Sequence, residues 1–356
     1  MKRSAAMTAA GVAGGVVVVA VIAAAIGGIA LAVRSISRPR EGKTPYDLTD
    51  LRRVDPDLII CEELRAFPTG LQTSRGIALA GDGRIAVCGD SAVRFFDANG
   101  TRTGEVKTAE PAGAVAIDAD GTLYAAMKDH VEVHAPDGRR KAVWAAAVQR
   151  SLLTAIALAG GDVYVADAGG RAVLRCDKTG KLLLRIGQKD PNRNIPGLIV
   201  PSPYLDVAAA SDGLLRVANP GRHRVEAYTP QGHLEFHWGR ATTAVDGFCG
   251  CCNPCNFAVV PSAKGFGEFA GYVTTEKGLT RVKLFDADGE FAGVVAGPAS
   301  FARHDGLLTG RPTDAGCLAL DVAADAAGRI FVLDPVVNEV RVFQRIADKA
   351  PGRGRK

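Results

Sequence analysis

The sequence predicts an all-β fold, a six-bladed β-propeller, preceded by one N-terminal transmembrane helix. Three observations carry that expectation. One strand–turn–strand pattern recurs six times between residues 57 and 346. Short apolar runs are separated throughout by turns such as "DANG", "DADG" and "APDG". Ahead of them, residues 9–33 are apolar or glycine without a single charge. Repeats of this length with three or four strands each are the sequence form of a propeller blade. A hydrophobic share of 47% and a charged share of 23% fit a globular chain rather than a disordered one.

Taken in order, residues 1–8 are a short tail and 9–33 ("AAGVAGGVVVVAVIAAAIGGIALAV") a membrane anchor. About 20 apolar residues cross a bilayer as a helix, and a secretory signal has an apolar region of only about 7–15. The alternative is a cleaved signal ending near Ala30-Leu31-Ala32. Lys2 and Arg3 precede the run, and Arg34, Arg38, Arg40 and Lys43 follow it. A strict count of positive charge favours a cytoplasmic C-terminal domain. The bias is small and a short tail is easily retained in the cytoplasm, so the expected arrangement is a single-pass membrane protein with an extracytoplasmic propeller. Residues 34–56 are polar and contain proline, as a tether does, and 347–356 are a basic tail.

The propeller is expected over 57–346. Its copies begin at Gly76, Ala114, Ala155, Asp206, Phe257 and Asp321. Asn, Asp and Gly in the turns supply the positive φ that tight hairpins need. The sixth copy stops one strand short, and "DLIICEELRAF" (57–67) is a strand without a partner ahead of the first. Pairing the two closes the ring and removes an open edge.

Copies three, four and six carry a more specific signature: "VYVADAGGRAVLRCDKTGKLL", "LLRVANPGRHRVEAYTPQGHL" and "IFVLDPVVNEVRVF". Each has an apolar strand, a small turn with Asp or Asn, a strand whose apolar residues follow a polar one, and in the first two a Gly turn. These segments resemble NHL repeats, and the resemblance extends more weakly over the other copies. It implies a six-bladed propeller with a binding surface. It implies no particular activity, because propellers host both binders and enzymes.

Function in a repeat array concentrates in insertions on one face. Three links are long: 188–204, 240–256 and 297–316. All run from the outer strand of one copy to the innermost strand of the next, which predicts one elaborated half of the rim around the channel mouth. The second link holds "GFCGCCNPCNFAVV". Cys249, Cys252 and Cys255 have the C-x-x-C-x-x-C spacing of three thiolate ligands to an iron–sulfur cluster. Cys251 is a further sulfur, and the usual fourth cysteine followed by proline is absent. Repeat alignment places Cys317 beside Cys255, just before the innermost strand of the next copy. A cluster, a zinc site and disulfides all remain open for these five residues. His304 and Asp305, in the third link, are further rim candidates.

Other candidates read as structural. Cys88 and Cys176 fall in strands, where a thiol packs as a small hydrophobe, and Cys61 falls in the closing strand. His223, His233 and His237 with Glu235 suggest the polar face of an outer strand. Asp167, Asn219, Glu276 and Asp334 recur after the second strand of copies three to six, where short polar side chains bind local backbone. No nucleophile elbow, phosphate loop or H-E-x-x-H occurs. The net charge of +5 resides largely in the termini, with no basic face interleaved with aromatics, so nucleic acid is not an expected partner.

The sequence therefore reads as a membrane-anchored binding or scaffold module for a protein in or on the same membrane, with a cysteine-rich rim site. One alternative is an iron–sulfur or metal-binding redox component of a membrane electron-transfer system. Another is a metal-dependent enzyme of lyase or lactonase type. No small-molecule ligand is indicated.

Overall fold

The computed structural model describes residues 52–145, 149–262, 269–301, 319–347 and 349. The anchor expected at 9–33, and with it residues 1–51, lies outside the described residues. Among those that are described, no helix is long and apolar enough to cross a membrane.

Among the described residues, twenty-four strands form six four-stranded antiparallel sheets. After β1 (Cys61–Pro68), blade 1 is β2 (Ser74–Leu79), β3 (Ile85–Gly89), β4 (Ala92–Phe96) and β5 (Arg102–Lys107). Blade 2 is β6 (Ala114–Ile117), β7 (Leu123–Ala126), β8 (Val131–His134) and β9 (Arg140–Trp144). Blade 3 is β10 (Leu153–Ala159), β11 (Asp162–Asp167), β12 (Ala172–Asp177) and β13 (Leu182–Ile186). Blade 4 is β14 (Val207–Ala209), β15 (Leu215–Asn219), β16 (Arg224–Tyr228) and β17 (Leu234–Trp238). Blade 5 is β18 (Phe257–Pro261), β19 (Phe269–Thr275), β20 (Val282–Phe285) and β21 (Phe291–Ala296). Blade 6 is β22 (Asp321–Ala324), β23 (Ile330–Asp334) and β24 (Glu339–Arg345), and its fourth strand is β1.

The ring thus closes as the unpaired sequence strand requires. Cys61 lies opposite Arg345 and Phe67 opposite Val340, with one bulge between Glu63 and Arg65. The middle strands are rich in Val, Ile, Tyr and Phe, which suit a pleated surface covered on both faces. Each of the six apolar clusters lies between two neighbouring blades. Phe67, Ile77, Val87, Phe331 and Val342, for example, join blades 6 and 1. No blade has a core of its own, so every sheet is stable only against its neighbours.

An aromatic on an outer strand packs under a turn glycine of the next blade. Phe67 lies under Gly100 and Trp144 under Gly180, and a β-carbon at Gly180 would collide with the indole. Both glycines also need their left-handed backbone, with φ of 88° and 89°. Asp97 completes the first of these turns, its carboxylate accepting from the amides of Asn99 and Thr101 at 2.8 Å. The Asp-Gly turns that mark the repeat therefore also set the spacing between blades.

The closure is testable. A chain lacking residues 57–68 leaves β24 with an open edge and uncovers the core between blades 6 and 1. It should aggregate on mild heating, seen by light scattering, while a chain beginning at residue 52 stays monomeric. Phe67→Ala in the closed protein should cost about 3–5 kcal/mol in denaturant unfolding.

Candidate functional site

The innermost strands β2, β6, β10, β14, β18 and β22 line a central cavity of about 330 Å³. At the end of the channel where these strands begin, it opens into a mouth of about 660 Å³. The mouth is bordered by Arg75, Lys128, Leu152, Tyr204, Asn256 and Pro335, among others. Lys277 stands nearby, its ammonium 5.2 Å from the Tyr204 ring centroid. The described wall is therefore apolar with cations at its border.

The neck beneath is held by hydrogen bonds that pass from blade to blade. Thr154 donates to the Leu205 carbonyl at 2.5 Å. The Asp206 carboxylate accepts from the Phe257 and Val207 amides, each at 2.7 Å. Asn256 donates to the Leu320 carbonyl at 2.8 Å, and Asp321 accepts from the Ile77 amide at 2.8 Å. Burial raises the Asp321 carboxyl to about 6. Burial, and then the charge of Asp321, raise Asp206 well above the ordinary carboxylate range. Desolvation disfavours the charged form, and two amide donors to each carboxylate recover only part of that loss. Sequence reasoning took Asp206 and Asp321 only as copy boundaries. The signal was the repeated "LDVAA" at the start of both inner strands.

Two long links are described, and both are folded down onto the ring by buried side chains. In the first, Asp190 accepts from the Asn192 amide at 3.1 Å, while Ile195 and Leu198 enter the core between blades 3 and 4. Asn219 then accepts from the Ile199 amide at 2.9 Å. Asn219 is one of the recurring polar residues after the second strand. Asp167 acts similarly on Leu152 at 2.9 Å, and Asp90 on Gln72 and Thr73. Their structural role is to reach back and fix the incoming link.

The cysteine link is held by the same position and by more. Phe248 is fully buried against Trp238 and Phe285, with ring centroids at 6.1 and 5.6 Å. Glu276 accepts from the Cys249 amide at 3.2 Å and pairs with Arg281 at 2.6 Å and Lys283 at 3.2 Å. The Lys283 ammonium also donates to the Gly247 carbonyl at 2.5 Å and lies 4.4 Å from the Phe248 centroid. Burial lowers Lys283 to about 8, an effect that the Glu276 charge opposes. Asn253, 2% exposed, completes the loop. Its side-chain oxygen accepts from the Lys277 amide at 2.7 Å, and its amide nitrogen donates to the Lys277 carbonyl at 2.9 Å and to the Cys249 carbonyl. A side chain here does what a paired strand does elsewhere.

The four cysteines of the link share one loop but not one environment. Cys255 is buried, its thiol facing the Cys252 carbonyl at 3.1 Å and the Asn253 side-chain oxygen at 3.2 Å. Burial pushes that thiol far above its ordinary range. Cys251 is exposed and Cys252 half-buried, with their sulfurs 3.3 Å apart. Burial, together with the neighbouring Cys251, raises the Cys252 thiol. None of the seven described cysteines is in a disulfide. Among the described residues no three His, Cys, Asp or Glu side chains gather so as to hold a metal ion. Cys317, His304 and Asp305 lie outside the described residues.

Cys61, Cys88 and Cys176 are buried in strands, and burial raises them to about 12, 12 and 11. The histidine grouping divides. His237 and Glu235 lie on β17 and His233 just before it, all exposed. His223 instead sits in the turn before β16 with φ of 55°, and its Nε2 is 2.9 Å from the Gly250 carbonyl. It buttresses the cysteine loop.

No protein-family model matches this chain, and no curated protein sequence matches it. Solved structures do resemble it. Virginiamycin B lyase from Staphylococcus aureus superposes with a TM-score of 0.51 at 9% identity, covering 80% of this chain and 100% of its own. A Bacteroides thetaiotaomicron protein of unknown function gives 0.54 at 16% identity, covering 80% and 72%. At such identities the likeness is one of fold. This chain is an all-β, six-bladed propeller, and its structural neighbours include lyases.

The buried Glu276 group yields a pH-dependent prediction. Glu276→Ala leaves two cations buried without their carboxylate and should cost about 3–5 kcal/mol. Lys283→Met keeps the Arg281 pair but removes one cation of the group and the donor to the buried Gly247 carbonyl, so it should cost less than Glu276→Ala, about 1–3 kcal/mol at neutral pH. A lysine whose folded value is lowered binds fewer protons folded than unfolded, so its penalty is full below about 8 and shrinks as pH rises towards 10.5. The buried thiols act in the opposite sense above about 9, but they are common to both proteins. The stability of the native chain relative to Lys283→Met should therefore rise between about pH 8 and 10 in urea unfolding.

Proposed function

We propose that this chain is a membrane-anchored, NHL-like propeller that binds a protein in or on the same membrane through its elaborated rim. The observation that carries the reading is the construction of that rim. Two insertions are fixed to the ring by the buried side chains of Asn219, Asn253 and Glu276. A surface ordered before binding loses little conformational entropy when a partner docks. On the first link Ile199 is 44% exposed, and at the mouth Arg75 and Lys128, with Lys277 nearby, supply positive charge. That mixture suits a partner loop or chain end carrying both an apolar residue and a carboxylate.

In this reading residues 9–33 hold the propeller at the extracytoplasmic surface and 34–56 set its reach. Tethering raises the effective concentration of a partner in the same bilayer, so a modest contact suffices. Glu276 and Asn253 hold the cysteine loop, and the cysteines order the rim with or without a metal.

A redox or metal-binding role is a second reading, favoured by four sulfurs within one loop and by the spacing of Cys249, Cys252 and Cys255. Cys251 or Cys317 would be the fourth ligand, to iron–sulfur or to zinc. The lyase activity of the Staphylococcus aureus protein is carried here only by likeness of fold. A lyase or lactonase reading would use a metal in the channel mouth, with His304 and Asp305 as further rim candidates.

The test is photo-crosslinking in native membranes from the full chain. A photoreactive residue at Ile199 should give one discrete adduct with a membrane protein, and Arg75→Glu/Lys128→Glu should reduce it about tenfold or more. The same probe at the exposed Asn99, on a turn away from the links, should give none. Equal labelling from both positions, or none from Ile199, would contradict the binding reading. Anaerobic purification to brown protein with iron and sulfide would replace it with the redox one.

A further inference from the structure

We propose that Cys251 and Cys252 form a reactive dithiol that exchanges with disulfides and closes reversibly into a disulfide between sequence neighbours. Their sulfurs are 3.3 Å apart, so no other atom stands between them. They differ in access as attacking and resolving thiols do, Cys251 being exposed and Cys252 half-buried. The remaining described thiols are arranged otherwise. Cys249 is half-buried at the start of the loop with its amide held by Glu276, Cys255 is buried against the Cys252 carbonyl and Asn253, and Cys61, Cys88 and Cys176 are enclosed in sheets.

The surroundings hold the pair in place without covering it. The loop on its N-terminal side is fixed by Glu276 on the Cys249 amide and by His223 on the Gly250 carbonyl. On its C-terminal side it is fixed by Asn253 on Lys277. Gly250, with φ of 82°, turns the chain just before the two cysteines. Cys251 is the exposed cysteine of this anchored loop, and Cys252 lies half-buried beside it.

The chemistry balances with an external disulfide as oxidant. The Cys251 thiolate attacks one sulfur of that disulfide, forming a mixed disulfide and releasing the first thiolate. The Cys252 thiolate then attacks the Cys251 sulfur and expels the second. Two protein thiols lose two electrons and two protons, and the external disulfide gains both as two thiols. A disulfide between sequence neighbours is constrained, because such residues are closer than bridged residues ordinarily are. Constrained, exposed disulfides are readily reduced, which makes the step reversible. The ligand class is an accessible disulfide, of a small molecule or of a protein surface, and the proposal does not depend on the binding reading above.

The experiment uses the detergent-solubilised full chain and the aromatic disulfide dithiobis(nitrobenzoate), with no partner protein present. Peptide mass spectrometry across residues 241–264 reads the products. The native chain should end with Cys251 joined to Cys252 and no aryl group retained on either, and dithiothreitol should restore both thiols. Cys252→Ser should lose the internal disulfide and retain one aryl group on Cys251. Cys251→Ser should lose the internal disulfide as well. Both positions are accessible, so unchanged melting of each variant verifies its fold. Retention of an aryl group on both cysteines of the native chain would overturn the proposal. So would pairing of either with Cys249 or Cys255, or absence of reaction because a metal masks the sulfurs.

Discussion

The pairing of β1 with β24 is the contact on which everything else in this molecule depends. Each apolar core lies between two blades, so a ring that fails to close leaves one core open to water and one strand edge unpaired. The channel neck has the same dependence. Asp321 in blade 6 accepts from Ile77 in blade 1, a bond that exists only across the closed seam. The links and the mouth are built on that ring.

The rim uses buried polar groups where a sheet would use strand pairing. Asn219, Asn253 and Glu276 supply donors and acceptors to loop backbone that would otherwise be unsatisfied. Glu276 is the most elaborate case, because its charge is balanced by two buried cations and its second oxygen remains available to the cysteine link. Removing one member of such a group costs more than the group gains for stability. Its value lies in fixing the loop that presents Cys251 and Cys252.

The fold was legible in the sequence because a propeller is periodic. Six copies, turn glycines and an incomplete last unit specify blade number and closure together, and the glycines that cover Phe67 and Trp144 belong to that same signal. The long links and the cysteine loop were legible as departures from the period. Their internal organisation was not. Asn253 looks like any turn residue until Lys277, 24 residues later, is brought beside it. Asp206 and Asp321 look like strand starts until the ring places each against the next blade. His223 joined two other histidines by spacing, but its left-handed backbone turns it to the Gly250 carbonyl instead. These are contacts between segments, and a one-dimensional pattern carries no record of them.

The central claim is that the rim is ordered by the ring before anything binds to it. Amide hydrogen exchange on the full chain, without partner or metal, tests this most directly. The amides of Ile199, Cys249 and Cys255 should exchange as slowly as those of the inner strands β14 and β18, since each is bonded to the folded ring. Exchange of these three at the rate of an unstructured peptide, with the blade strands still protected, would contradict the account.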